Sequence, residues 1–335
     1  MKVGIVGVGF MGTTHAEGWA AAGADIVGFA AETVEEAGPI STQYGGKVFP
    51  DLAAMLPQVD VVDICTPTHL HYEMVLQAAE AGKDIICEKP LALDVSQARQ
   101  MVVACRRKGV RLLVGHVVRF FPEYFQARSA VYAGQIGKPG VIRLQRGSYR
   151  PKKPVGNWFL DEAKSGGLLM DLMIHDFDYA RWVAGEVTRV FARKITTKHP
   201  QAAVDYGLVI LTHASGTISH IAGAWAYPPP TFRTGLEIAG DKGLLHSASD
   251  DTAPIHSLIM KPAGNAPDVA LPSSPLAESP YVTQIKEFYT ALRDGSPARV
   301  SAEDGLAAVQ IARAAIESAL TGKAVDLEPL QEVQP

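Results

Sequence analysis

Short apolar runs recur through the first third of the chain, near 3–6, 26–30, 60–64, 84–87 and 111–114. Between them lie stretches whose apolar positions follow helical spacing, at 13–22, 33–44, 69–81 and 95–107. Uninterrupted apolar runs suit strands covered on both faces. Their alternation with amphipathic helices predicts a doubly wound α/β domain with a parallel sheet. Past residue 120 the pattern changes. Val141–Ser148, Val187–Ile195, Tyr206–Thr212, Thr217–Trp225 and Leu236–Ala239 read as strands, several with apolar and polar residues alternating in period two. One helical stretch, Gly167–Ala184, interrupts them, and two helices, Tyr281–Arg293 and Ala302–Thr321, close the chain. Residues 250–280, rich in Pro, Ser, Asp and Ala, read as a long surface loop. The expectation is one domain over 1–120 and a second, α+β domain over 121–335, built on a large, mostly antiparallel sheet.

Length agrees, since 335 residues exceed one ordinary core. A net charge of −4 supplies no basic surface for nucleic acid. The longest uncharged stretch, Tyr206–Phe232, holds Gly, Ser, Thr, His and consecutive prolines, so it reads as strands and a turn rather than a membrane span. Cys65, Cys87 and Cys105 show no CxxC spacing and sit in apolar surroundings. They read as buried free thiols of a cytoplasmic protein, and no metal-ligand cluster is expected.

Two stretches change the picture from architecture to chemistry. Gly7-Val8-Gly9-Phe10-Met11-Gly12 follows the first strand and opens the first helix. In that context Gly7 makes a tight turn, Gly9 lets backbone approach a pyrophosphate, and Gly12 lets helix pack on strand. The plainer alternative is an ordinary glycine-rich turn. Cys87-Glu88-Lys89-Pro90 follows the strand-like Asp84-Ile85-Ile86. Proline lacks an amide hydrogen, so the strand stops there, leaving Glu88 and Lys89 at the carboxyl rim where doubly wound sheets bind ligands.

The helix Gly167–Ala184 is apolar nearly all round, yet Asp171, His175 and Asp178 fall at i, i+4 and i+7, on one stripe. Charge on a buried helix must be paired or must face a polar cavity. The stripe is therefore either a hydrogen-bond network bracing the second domain or half of an active site. Asp176 faces elsewhere and suits a local ion pair. A nicotinamide lying over the rim would bring its ring near Lys89. If the second domain covers that rim, His175 can act as base toward a hydroxyl, Asp171 can orient the imidazole or bind a neighbouring hydroxyl, and Lys89 can bond the substrate oxygen or pass on its proton.

Taken in order, GVGFMG (7–12), CTPTHLH (65–71), EKP (88–90), GHVVRFFP (115–122) and GGLLMDLMIHDFD (166–178) resemble the glucose-fructose oxidoreductase, inositol dehydrogenase and rhizopine-catabolism family, Gfo/Idh/MocA, over nearly the whole chain. The resemblance implies a Rossmann domain followed by an α/β domain whose open sheet forms dimers or tetramers. It implies NAD- or NADP-dependent oxidation or reduction of a sugar, cyclitol or related polyol. Lys89, Asp171 and His175 carry over as catalytic residues. Gly7, Gly9, Phe10, Met11, Gly12, Thr66, Pro67, His71, Glu88 and Lys89 fall in its cofactor-binding segments, although Thr68 stands where asparagine is frequent. Arg119 is either a substrate contact or a structural ion pair. Trp158 either covers the nicotinamide or substrate or anchors its loop, and Tyr281 is a further candidate substrate contact. His15 reads as structural.

The second strand runs into Ala30-Ala31-Glu32. The acid expected for the adenosine ribose is missing at Ala31, but Glu32 stands just beyond. No lysine or arginine follows until Lys47 to receive a 2′-phosphate, so NAD is favoured and NADP stays open. Two other readings remain: a non-catalytic dinucleotide sensor on the same fold, and a reductase of an imine or tetrapyrrole-like substrate. Specificity is expected in loops 150–165 and 226–235.

Overall fold

The computed structural model describes residues 1–152, 157–197, 204–249 and 278–330, and the chain divides into two compact units. The surface loop expected over 250–280 lies almost wholly outside the described residues.

The first unit contains β1 (Lys2–Val6), α1 (Phe10–Ala21), β2 (Asp25–Ala30), α2 (Val34–Tyr44), β3 (Lys47–Phe49), α3 (Leu52–Met55), β4 (Val61–Ile64), α4 (His71–Glu80), β5 (Asp84–Cys87), α5 (Val95–Lys108) and β6 (Leu112–Val114). Its strands pair in parallel in the order β3-β2-β1-β4-β5-β6. Val3, Ile5, Val61, Val62, Ile64, Ile85 and Ile86 are fully buried, which explains why these strands lack alternation in sequence. The short edge strand β3 escaped the sequence reading because only Phe49 of its three residues is deeply buried. The strand order reverses between β1 and β4, and a ligand crevice opens beyond the carboxyl ends at such a point. Gly7, Thr66 and Lys89 follow β1, β4 and β5, so topology brings them to one edge.

The second unit begins with α6 (Pro122–Tyr132), β7 (Pro139–Ser148), α7 (Glu162–Ser165), α8 (Gly167–Asp171), α9 (Ile174–Ala184), β8 (Val187–Thr196), β9 (Asp205–His213), β10 (Ile218–Trp225), β11 (Phe232–Gly240) and β12 (Leu244–Ala248). After α10 (Pro280–Asp294) and α11 (Ala302–Thr321) the chain adds β13 (Val325–Asp326). The sheet order is β12-β11-β7-β10-β9-β8-β13, with β7 and β10 parallel and the other neighbours antiparallel. α8 packs on β9 and β10, and α9 on β7 and β10.

Two expectations are corrected. Residues 278–309, including α10, pack with the first unit rather than the second. α10 lies against α1, where Gly18 leaves room for Ile285 and Trp19 meets the edge of Tyr289 at 6.2 Å. The helix read as Gly167–Ala184 is also broken. α8 ends at Asp171, and the amides of Leu172 and Met173 both bond the Leu168 carbonyl at 3.1 Å before α9 starts.

Candidate functional site

The turn after β1 is built by close approach. Gly7 has φ 91°, and a Cβ there would lie 2.6 Å from the Cys65 carbonyl oxygen; one on Gly12 would lie 1.9 Å from the Gly7 carbonyl oxygen. Side chains are thereby excluded where α1 meets the strand ends. A Cβ on Gly9 would meet nothing within 4 Å, so that glycine faces open space. No side chain caps the start of α1, which leaves its first amides and positive dipole end available to an anion. Phe10 is exposed and Met11 half-buried beside them. Glu32 is exposed just past β2, ahead of Thr33, whose side chain caps α2.

The loops after β4 and β5 are tied together by His71. It is buried, with Nδ1 2.8 Å from the Pro90 carbonyl oxygen and Nε2 2.9 Å from that of Thr66. Burial pulls its pKa below the ordinary imidazole value despite these carbonyls, so a neutral ring donates to one and merely abuts the other. His71 therefore shapes the loops instead of lining a cleft. Thr66 and Pro67 stay half-buried at the rim.

Lys89 is half-buried while residues 85–88 and 90–92 are buried around it; the Lys89–Pro90 peptide is cis. Glu88 departs from the expectation. Its side chain turns inward, 5% exposed, with Oε1 3.1 Å from His15 Nε2. A carboxylate placed at the end of a buried strand finds a cation beneath the sheet edge instead of solvent at the rim, so its expected contact with the cofactor is not supported. Arg119 is likewise spent inside its unit. It is 1% exposed and donates from Nη1 to the Arg299 carbonyl at 2.9 Å and to Asp304 Oδ2 at 3.1 Å. Of its two readings, the structural ion pair is the one observed. Tyr281 is 7% exposed on α10.

In the second unit the break between α8 and α9 has a visible cause. Gly207 of β9 and Gly223 of β10 are cross-strand partners. A Cβ on Gly223 would come within 2.3 Å of Met173 Cγ, and one on Gly207 within 2.8 Å of Met173 Sδ. The bare backbone is a socket for Met173, at the centre of the break. Asp171 and His175 stand two residues either side of it. Arg146 of β7 pins α9 by a bidentate pair to Asp176, 2.8 and 2.9 Å, both side chains buried. This is a long-range pair, not the local one expected. Between 171 and 180 every side chain is buried except His175, which is half-exposed; Asp171 is 7% and Asp178 1% exposed. Trp158 is half-buried and stacks on Phe159 at 4.0 Å.

The sequence reading missed one cluster. His15, Asp63 and Cys65 offer ligand atoms within 4.8 Å of one another, where no such group was expected. The available signal was Asp63 itself, a carboxylate inside the apolar strand Val61-Val62-Asp63-Ile64, which burial permits only with a partner.

Residues 1–116 match the profile of the oxidoreductase family with an NAD-binding Rossmann fold, and residues 124–246 match the GFO/IDH/MocA C-terminal domain. The chain belongs to the GFO/IDH/MocA family of oxidoreductases. It is 31% identical to D-apiose dehydrogenase of Paraburkholderia graminis, over 100% of this chain and 92% of that protein. Myo-inositol 2-dehydrogenase of Thermotoga maritima is 30% identical, over 98% and 99%. Among solved structures, GenD2 from gentamicin A biosynthesis, in complex with NAD, superposes with a TM-score of 0.85 at 27% identity, covering 98% of this chain and 96% of that one.

For a GFO/IDH/MocA member the turn at 7–12 fits the dinucleotide. The space over Gly9 is open enough for a pyrophosphate, and the uncapped amides at the start of α1 are the kind of group that would hold one. Glu32 is exposed just past β2, and Thr66 and Pro67 follow β4 at the same sheet edge. NAD is the cofactor of the family's N-terminal domain.

Proposed function

We propose that this NAD-dependent oxidoreductase moves a hydride between the cofactor and a carbon bearing a hydroxyl on a cyclic polyol or sugar. NAD supplies the hydride acceptor. Lys89 from the first unit and Asp171 and His175 from the second serve the same substrate in this reading. The His175 imidazole takes the hydroxyl proton as the carbon is oxidised. The Lys89 ammonium hydrogen-bonds the same oxygen and stabilises the negative charge that develops on it. Asp171 holds the imidazole in orientation. The observation that carries the reading is shared by both halves: Lys89 and His175 are each a half-exposed titratable side chain within an otherwise buried run. That pattern suits groups that must meet a substrate without being lost to bulk water. Trp158, on the loop preceding α7, is the aromatic surface offered to the substrate ring. Glu32 binds the ribose hydroxyls and, with no nearby cation in sequence, disfavours a 2′-phosphate.

The substrate class follows from the relatives: D-apiose and myo-inositol are both polyhydroxylated rings or ring-forming sugars. The test is the absorbance of reduced nicotinamide across a panel of inositols and sugars, with NAD and NADP. At least one member should be oxidised with NAD, and His175→Ala should lower that turnover by about 10²–10⁴-fold with little change in NADH affinity. NAD binding without turnover across the panel would favour the sensor reading, and full activity in His175→Ala would remove that residue from the mechanism.

We further infer that copies of the chain pair through the open side of the second unit's sheet. Gly207 points inward at Met173, so Tyr206 and Leu208 point outward, 43% and 47% exposed, and Ile195, 66% exposed, sits directly across from Tyr206. No helix among the described residues is long and apolar enough to cross a membrane. The three free cysteines suit the cytoplasm.

A further inference from the structure

Beneath Lys89 lies a run of buried charge that the proposed chemistry does not use. His15 of α1 is fully buried between two carboxylates. Its Nδ1 stands 3.0 and 2.9 Å from the two oxygens of Asp63 at β4. Its Nε2 stands 3.1 Å from Glu88 Oε1, off the line of a strong hydrogen bond, so this leg is an ion-pair contact. The Trp19 indole N–H donates to Asp63 Oδ2 at 2.7 Å and fixes the far carboxylate. The Cys65 thiol donates toward Asp63 Oδ1 at 3.5 Å and lies 3.2 Å from His15 Nδ1. The second Glu88 oxygen, Oε2, accepts the backbone N–H of Lys89 at 3.2 Å. Glu88 has little freedom to leave, since even a Cβ on Gly115 would crowd its Oε1 at 2.4 Å. A continuous chain therefore runs from Trp19 through Asp63, His15 and Glu88 to the main chain of Lys89.

A buried charge cluster of this kind gains little stability over a packed apolar one, so its use is more naturally geometric. Lysine needs such help, because its ammonium rides on a flexible four-carbon stem whose root must be fixed before its tip can be aimed. We infer that His15 is a positioning residue for Lys89: by gripping Asp63 and Glu88 together, it fixes the backbone from which Lys89 reaches the substrate. The inference rests on the catalytic role proposed for Lys89. The charge state agrees. Burial works to lower the His15 pKa, but the Asp63 carboxylate and the hydrogen bonds to Asp63 and Cys65 hold it well above the ordinary value, so the ring is a cation that can face both acids.

The test is a double-mutant cycle on the intact protein, using NAD and the substrate that the panel identifies, with wild type, His15→Gln, Lys89→Met and the double variant. His15→Gln should lower kcat by about 10²-fold, the loss expected of a misplaced catalytic group, while NADH affinity is kept. In the Lys89→Met background it should change the residual rate by no more than about twofold. Amide exchange over 84–92, which needs no substrate, should rise in His15→Gln with NAD bound. Wild-type kcat in His15→Gln, the same fold-loss with and without Lys89, or unchanged exchange would each overturn the inference. Wild-type turnover in Lys89→Met would instead overturn the catalytic reading of the lysine. If His15→Gln does not fold, Glu88 carries the test: Glu88→Gln, whose amide oxygen can still accept from the His15 Nε2–H, should keep most of the rate that Glu88→Ala loses, and equal losses would sink the idea.

Discussion

At the scale of single residues, three buried imidazoles, His15 against His71 and His213, hold opposite protonation states, and stability must follow. An unfolded histidine loses its proton near pH 6.5. Folded His15 keeps its proton well above that value: burial alone would lower its pKa, but Asp63 and Cys65 raise it further. Asp63, Cys65 and Glu88 are the titratable groups facing it. Its contribution is thus complete below about pH 6.5 and drains as pH rises toward the folded value, by at most about 1.4 kcal/mol per unit. Burial lowers the pKa of His71 and of His213, so those rings stay neutral when folded and stability falls as pH drops below about 6.5. The melting temperature of the wild type should therefore decline between about pH 6.5 and 8, below the range where buried Cys65 and Cys87 titrate. His15→Gln should flatten that alkaline limb and leave the acid limb in place; an unchanged alkaline slope would show that His15 does not hold the extra proton.

At the scale of elements, the Met173 socket joins packing to chemistry. Two glycines facing each other across β9 and β10 let a helix break sit on bare backbone, and that break separates Asp171 from His175. Gly223→Ala adds one methyl group where Met173 already sits. Overpacking of this kind costs about 1–3 kcal/mol, measurable by urea unfolding. It should lower turnover more than NADH affinity, because the affected helices belong to the second unit and the dinucleotide turn to the first. Equal losses in both would mean that the glycine pair serves general stability alone. The elements also show how far sequence reached. The five main strands of the first sheet, both closing helices and five strands of the second sheet, β7 to β11, were legible, because each repeats one packing period along its length; the short edge strands β12 and β13 were not. The broken helix was not, since Gly167–Ala184 reads as one apolar run and the residues that break it, Gly207 and Gly223, belong to distant strands. Lys89 and His175 were legible as charges set within apolar runs. The inward turn of Glu88 was not, because its partner His15 lies on the first helix.

At the scale of the whole molecule, the open side of the second sheet predicts association. Leu208→Asp, at a position 47% exposed on the sheet surface, should reduce the mass measured by light scattering to that of one chain while the protein stays folded. An oligomer of unchanged mass would place the contact elsewhere. The sequence by itself determined the two kinds of sheet, the dinucleotide turn and the family's paired motifs, because hydrophobic period and glycine placement are local properties of the chain. Tertiary structure alone decided which charges face one another: Asp63 with Glu88 across His15, Arg119 with Asp304, Arg146 with Asp176. Each of those pairs joins residues far apart in sequence, and an ion pair leaves no periodic trace that either partner could display alone.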